Sequence, residues 1–106
     1  MKTKYCIIFI TCRTVREAKA IADSLLKRRL VACANIIDKV NSKFWWRGKI
    51  NRISETLVIL KTKTAHFAMV EKAVKKLHSY EVPEIIALPI MAGSREYCNW
   101  IKESTI

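Results

Sequence analysis

A chain of 106 residues can bury one hydrophobic core and not two, so a single domain over residues 1–106 is expected. Half of it is hydrophobic (51%), and only two glycines and two prolines are present, which argues against linkers, low-complexity segments and repeat arrays. Twenty Lys and Arg against nine Asp and Glu give a net charge of +11, which raises the question of polyanion binding. No apolar run approaches the roughly 20 residues of a membrane-spanning helix.

The start, Met1-Lys2-Thr3-Lys4 followed by an apolar run, has the outline of a signal peptide. No small-residue cleavage site follows, however, and Thr14-Val15-Arg16-Glu17 has the spacing of a helix capping box. Residues 5–11 therefore read as a first strand, β-branched and aromatic, and a cytoplasmic location is expected. From Thr14 the period changes: Ala18, Ile21, Ala22 and Leu25 recur at helical spacing and predict an amphipathic helix to about Arg29. Residues 32–37 form a second strand. After the polar stretch 38–42, residues 43–46 run extended to a turn at Arg47-Gly48-Lys49, and residues 56–61 return as the third strand of a long hairpin. Thr64 is placed to cap a second helix with the apolar face Phe67, Val70, Ala73, Val74 and Leu77. Pro83 ends that helical pattern, residues 85–88 read as a buried strand, and Pro89 marks a sheet edge or an early end. Ser94 caps a short last helix with Tyr97, Trp100 and Ile101 on one side.

The order β-α-β-β-α-β with a trailing helix is that of a ferredoxin-like α+β sandwich, both main helices on one face of an antiparallel sheet. The other face is then bare, yet the strands are apolar on both sides. Trp45 and Trp46, adjacent in a strand, point to opposite faces, so one core cannot hold both. A homo-oligomer that covers the bare face is the expected outcome.

RNA-recognition modules of this fold carry stacking aromatics and a glycine in the third strand. Here residues 55–62 contain neither. The excess charge lies on helix outer faces (Arg16, Lys19, Lys27, Lys72, Lys75, Lys76) and on the hairpin (Lys39, Lys43, Arg47, Lys49, Arg52). Solvated faces with non-specific polyanion binding at low salt are expected. A basic nucleic-acid-binding module that uses its helix faces is the alternative.

Cys6, Cys33 and Cys98 sit in apolar patterns, Cys12 follows the first strand in a more exposed position, and no pair has metal or redox spacing, so four free thiols are expected. Chemistry-bearing residues gather instead at His78-Ser79-Tyr80-Glu81-Val82-Pro83-Glu84, a helix-to-strand corner. His66, read as lying on the helix surface without acidic neighbours, is twelve residues from His78, or about 18 Å along a helix, so the two cannot share an ion within one subunit. His78 with Glu81 or Glu84 makes a mixed nitrogen and oxygen site suited to copper or zinc, and the Cys12 thiol would add a soft ligand. No nucleophile motif, glycine-rich phosphate loop or paired-carboxylate signature is present, and a non-enzymatic role is expected.

Taken in order, several motifs resemble the CutA family of divalent-cation tolerance proteins. They are Ala18-x-x-Ile21-Ala22, Leu30-Val31-Ala32-Cys33-Ala34-Asn35-Ile36-Ile37, Ser42-x-Phe44-Trp45-Trp46-x-Gly48-Lys49-Ile50, Glu55 with Leu60-Lys61-Thr62, the His78 to Ile86 corner, and Tyr97-x-x-Trp100-Ile101. The resemblance implies a ferredoxin-like subunit in a tight homotrimer, similar in build to the PII signalling proteins. It also implies an association with divalent-metal tolerance and copper binding, and it brings no reaction. The family's copper ligands include a thiol at the end of the first strand and adjacent histidines before the Tyr-x-x-Pro-Glu segment. In this chain the thiol position is Ile10, with Cys12 two residues on; of the histidine positions, Leu77 and His78, only the second is filled. Ser79 stands where a proline is usual, and Arg47 where an acidic residue is usual. His78, Glu81, Glu84 and Cys12 are thus the implied ligands of a divalent cation such as copper, one not required for folding. By analogy with PII, Trp46, Glu55, Lys61, Tyr80 and Glu84 line an inter-subunit cleft, where they hold a small ligand or make the trimer's own polar contacts.

Overall fold

The computed structural model describes residues 3–106; Met1 and Lys2, the basic start of the leader-like stretch, lie outside the described residues. The elements are β1 (Tyr5–Cys12), α1 (Val15–Lys27), β2 (Cys33–Trp46), β3 (Lys49–Lys63), a 3-10 turn (Thr64–His66), α2 (Phe67–Leu77), β4 (Ile85–Pro89) and α3 (Arg95–Ser104). One antiparallel sheet has the order β2-β3-β1-β4. This is the ferredoxin-like α+β arrangement, with α1 and α2 side by side against the sheet.

The alternation along β1 builds the core. Cys6, Ile8, Ile10 and Cys12 all point beneath the helices and are fully buried with Ala18, Ile21 and Leu25 of α1 and Val70, Ala73 and Val74 of α2. Cys12 was expected to be more exposed. It is not, because β1 runs one residue longer than the sequence pattern shows and carries the thiol on the core side of the pleat. Thr14 caps α1 as expected, its Oγ1 accepting from the Glu17 N–H at 3.1 Å.

The hairpin is one continuous arm rather than two short strands joined by a polar segment. The register shifts between Ile37 and Val40, where Lys39 takes a left-handed conformation (φ 61°) and its N–H donates to Asp38 Oδ1. A bulge of this kind absorbs an extra residue and lets pairing resume, so β2 and β3 remain ladder partners out to Trp46 and Lys49. Arg47 and Gly48 both have positive φ (52° and 77°), as the two-residue turn of a tight hairpin requires.

Three smaller expectations are corrected. Thr64 opens the 3-10 turn and makes no side-chain cap for α2, its N–H bonding Lys4 O instead. Leu77 lies off the buried stripe of α2 and is exposed. β4 is an edge strand, as Pro89 indicated, but it is not buried: only Ile85 packs on the core, while Ile86 and Leu88 face the helix-free side.

That side is apolar. Ile7 and Phe9 of β1, Leu57 and Ile59 of β3, Ile37 of β2, and Ile86 and Leu88 of β4 share it by register. Ser94 caps α3, which reaches β3 and buries Ile101, leaving the Tyr97 and Trp100 rings half exposed, 5.4 Å apart.

Candidate metal and ligand site

The corner between α2 and β4 is organised by His78. The helix ends at Leu77, and His78 turns extended (φ −81°, ψ 139°) while its N–H still closes onto Val74 O. Its side chain is fully buried. Nε2 lies 2.7 Å from Thr11 O, an acceptor only, so Nε2 carries a proton and donates it. Nδ1 accepts from the Tyr80 N–H at 3.1 Å and therefore keeps its lone pair. Both ring nitrogens are thus engaged in the neutral imidazole.

Glu17 completes the corner. Its carboxylate accepts from the Arg13 N–H through Oε1 and from the Ser79 N–H, at 2.9 Å, through Oε2, with Oε1 3.9 Å from His78 Nδ1. One residue thus serves both the N-terminus of α1, where it bonds the Arg13 N–H rather than that of the N-cap Thr14, and the corner 62 positions further along the chain. The ligand atoms of Cys12, Glu17 and His78 all lie within 4.8 Å of one another. Burial, then the charges of Glu17 and Glu55, push the Cys12 thiol up to about 12, so it is protonated at neutral pH.

Beside this cluster lies an open groove of about 910 Å³ between the corner and the arm. Tyr80 hangs into it and donates its hydroxyl to Glu55 Oε2 at 2.6 Å. The Tyr80 phenol is held above its ordinary range by burial first and then by the Glu55 hydrogen bond and charge. Glu84 also lines the groove, and its carboxyl is pushed up by desolvation and then by Glu55. Trp46 forms part of the arm's wall, the Arg47 guanidinium 5.5 Å from its ring centre.

The structure therefore brings together some of the residues singled out above and separates others. Cys12 and His78 meet, but the carboxylate beside them is Glu17. Glu81 swings to the arm and pairs with Arg47 at 3.6 Å in solvent, and Glu84 faces Glu55. Trp46, Glu55 and Tyr80 share the groove. Lys61 does not, because it stands six residues along β3 from Glu55, about 20 Å in a strand, where its Nζ donates to Asn35 Oδ1. His66 is not a surface residue. It is buried, with Nδ1 3.1 Å from Thr62 Oγ1. The Thr62 hydroxyl spends its proton on Leu30 O, so His66 Nδ1 is the donor and the ring is structural. Ile10 is buried on the same face of β1 as Cys12, one pleat further from the corner. Glu17 was visible in the sequence only as a capping-box acid.

A protein-family model described as CutA1 divalent ion tolerance protein matches residues 6–104. The chain belongs to the CutA1 family. It is 41% identical over 99 residues to the divalent-cation tolerance protein CutA of Thermus thermophilus, covering 93% of this chain and 96% of that one. It is 44% identical to the CutA of Archaeoglobus fulgidus, covering 92% and 94%. Against the chloroplastic CutA 1 of rice it is 37% identical and spans 56% of that longer protein. The Thermus CutA1 structure superposes with a TM-score of 0.94 over 96% of this chain and 99% of that one, at 40% identity. The Archaeoglobus structure, described as a periplasmic divalent cation tolerance protein, gives 0.92 over 94% and 97%, at 43% identity. The CutA1 family is named for tolerance of divalent ions, and no helix among the described residues is long and apolar enough to cross a membrane.

Proposed function

We propose that this CutA1 chain acts as a non-catalytic homotrimer that takes up a divalent cation, copper foremost, with Cys12, Glu17 and His78 as its ligands. The observation that carries this is the convergence of a thiol, a carboxylate and an imidazole within 4.8 Å. Thiol and imidazole donors suit copper and zinc rather than magnesium or calcium. Loading has a cost: His78 Nδ1 must let go of the Tyr80 N–H, and Cys12 must lose its proton. Uptake therefore releases a proton, strengthens with pH and stays weak beside a dedicated copper site. Glu81 and Glu84 stand as outer carboxylates at the groove mouth. The trimer is supported by the apolar, helix-free sheet face, and a reducing cytoplasm by four unpaired cysteines.

A second reading is favoured by the groove. Trp46, Glu55, Tyr80 and Glu84 present an aromatic wall and two neighbouring carboxylates, which suits a small cationic ligand held where subunits meet. Lys61 would take part in such a cleft only from a neighbouring subunit.

Calorimetric titration with Cu(II) in the presence and absence of reductant tests the first reading. Wild type binds tighter than millimolar, and His78→Ala and Glu17→Gln each weaken it. Binding unchanged in both variants, or none in wild type, removes the metal site and leaves the groove.

A further inference from the structure

Beyond Thr56 the helix-side face of the sheet continues onto the arm, past the cover of α1 and α2. Register places Asn41 opposite Ser54, Lys43 opposite Arg52 and Trp45 opposite Ile50, all on this one face. Two features of it are unfavourable for folding alone. Lys43 and Arg52 are like charges directly across a ladder, an arrangement that destabilises a strand pair, and neither has a carboxylate partner among the described residues. Next to them Trp45 is 71% exposed and Ile50 58%. A concavity of about 200 Å³ opens between the two cations, lined also by Asn41, Ser42, Ile53 and Ser54. On the face of Lys43 and Arg52 it offers two positive charges, the Ser54 hydroxyl and the Asn41 amide, with no acidic residue in its lining.

We propose that this face of the arm binds nucleotides, the phosphate seated between Lys43 and Arg52 and the base stacked on Trp45. The anion relieves the repulsion across the ladder, and Ser54 and Asn41, on the same face by register, supply neutral donors to its oxygens. Lys43 and Trp45 are two residues apart, about 7 Å along the strand, which is the reach from a phosphate across a sugar to its base. Stacking on an exposed indole serves any base, so the site is tolerant of sequence. By register Lys43, Arg52 and Trp45 point to the opposite face of the arm from Trp46 and Glu55, although Lys43 and Trp45 also border the groove, and the site does not depend on the metal reading.

The test is an anisotropy titration of a fluorescein-labelled oligothymidylate, at about 150 mM salt so that diffuse attraction is screened, with dTMP and inorganic phosphate as competitors. Wild type binds. Lys43→Glu weakens binding at least about ten-fold, yet it leaves the thermal midpoint unchanged or higher because its carboxylate faces Arg52. Trp45→Ala also weakens binding by about ten-fold. Lys72→Glu, the same charge change on the outer face of α2, has less than about a two-fold effect. Displacement by dTMP at matching per-site affinity assigns a free nucleotide, whereas affinity that grows with oligonucleotide length assigns a single strand. The proposal is overturned by any of three results: no binding by wild type, equal losses in Lys43→Glu and Lys72→Glu, or inorganic phosphate competing as well as dTMP.

Discussion

The Tyr80 hydroxyl donates to Glu55 Oε2 at 2.6 Å and so ties the α2–β4 corner to β3 across the groove. Glu55 is a buried carboxylate, and this is the side-chain donor that reaches it among the described residues. Tyr80→Phe removes the donor while the carboxylate stays in place. A loss of about 1.5–3 kcal/mol in urea unfolding at neutral pH is expected, as for a hydrogen bond to a charged group. Burial first, and then this bond and the Glu55 charge, raise the phenol's pKa in the folded state. Its stabilisation is therefore complete below the ordinary tyrosine value, about 10, and is lost as pH rises through the higher folded value. Wild type loses stability in alkaline solution, and Tyr80→Phe flattens that slope.

Glu84 behaves in the same sense at the acid end. Desolvation and Glu55 raise its carboxyl pKa, so the group favours the folded state below about pH 4 and works against it as pH climbs through the raised value. Glu84→Gln is expected to be slightly more stable than wild type at neutral pH, with the difference closing in acid. Urea midpoints at the two ends of that range decide it; a variant that is less stable at neutral pH contradicts the assignment.

Glu17→Ala removes two hydrogen bonds at once, one accepted from the Arg13 N–H just before α1 and one from the Ser79 N–H at the corner. A loss of about 1–3 kcal/mol is expected, together with faster hydrogen exchange at the Ser79 amide. An unchanged exchange rate at Ser79 would show that the corner is held without Glu17.

The oligomer is testable through a residue that one subunit hardly uses. Ile86 lies on the edge strand, half exposed on the helix-free face. Ile86→Glu should leave the protomer folded, since surface changes away from packed sites usually alter stability by less than about 0.5 kcal/mol. It should nonetheless disrupt assembly by burying a charge in an apolar interface. In sedimentation equilibrium at micromolar concentration, wild type runs at three times the 12.3 kDa protomer mass and the variant well below it. Wild type at 12.3 kDa would end the trimer reading.

Sequence alone determined much of the fold. The helical spacing of Ala18, Ile21, Ala22 and Leu25, the caps at Thr14 and Ser94, the Arg47-Gly48 turn and the edge position signalled by Pro89 are all local, because period, capping and turn chemistry act over a few residues. Trp45 and Trp46 were legible as a pair divided between faces for the same reason. Only the tertiary structure decided that Cys12 is buried, that His66 bonds Thr62 inside the core, and that Glu17 rather than Glu81 or Glu84 stands beside His78. Those outcomes depend on contacts between residues far apart in the chain, set by strand register and by how α1 and α2 seat on the sheet. A capping-box acid has the same local signature whether its second oxygen meets water or the Ser79 amide 62 residues away. The difference arises only when packing α2 beside α1 brings the Ser79 amide to Glu17 Oε2.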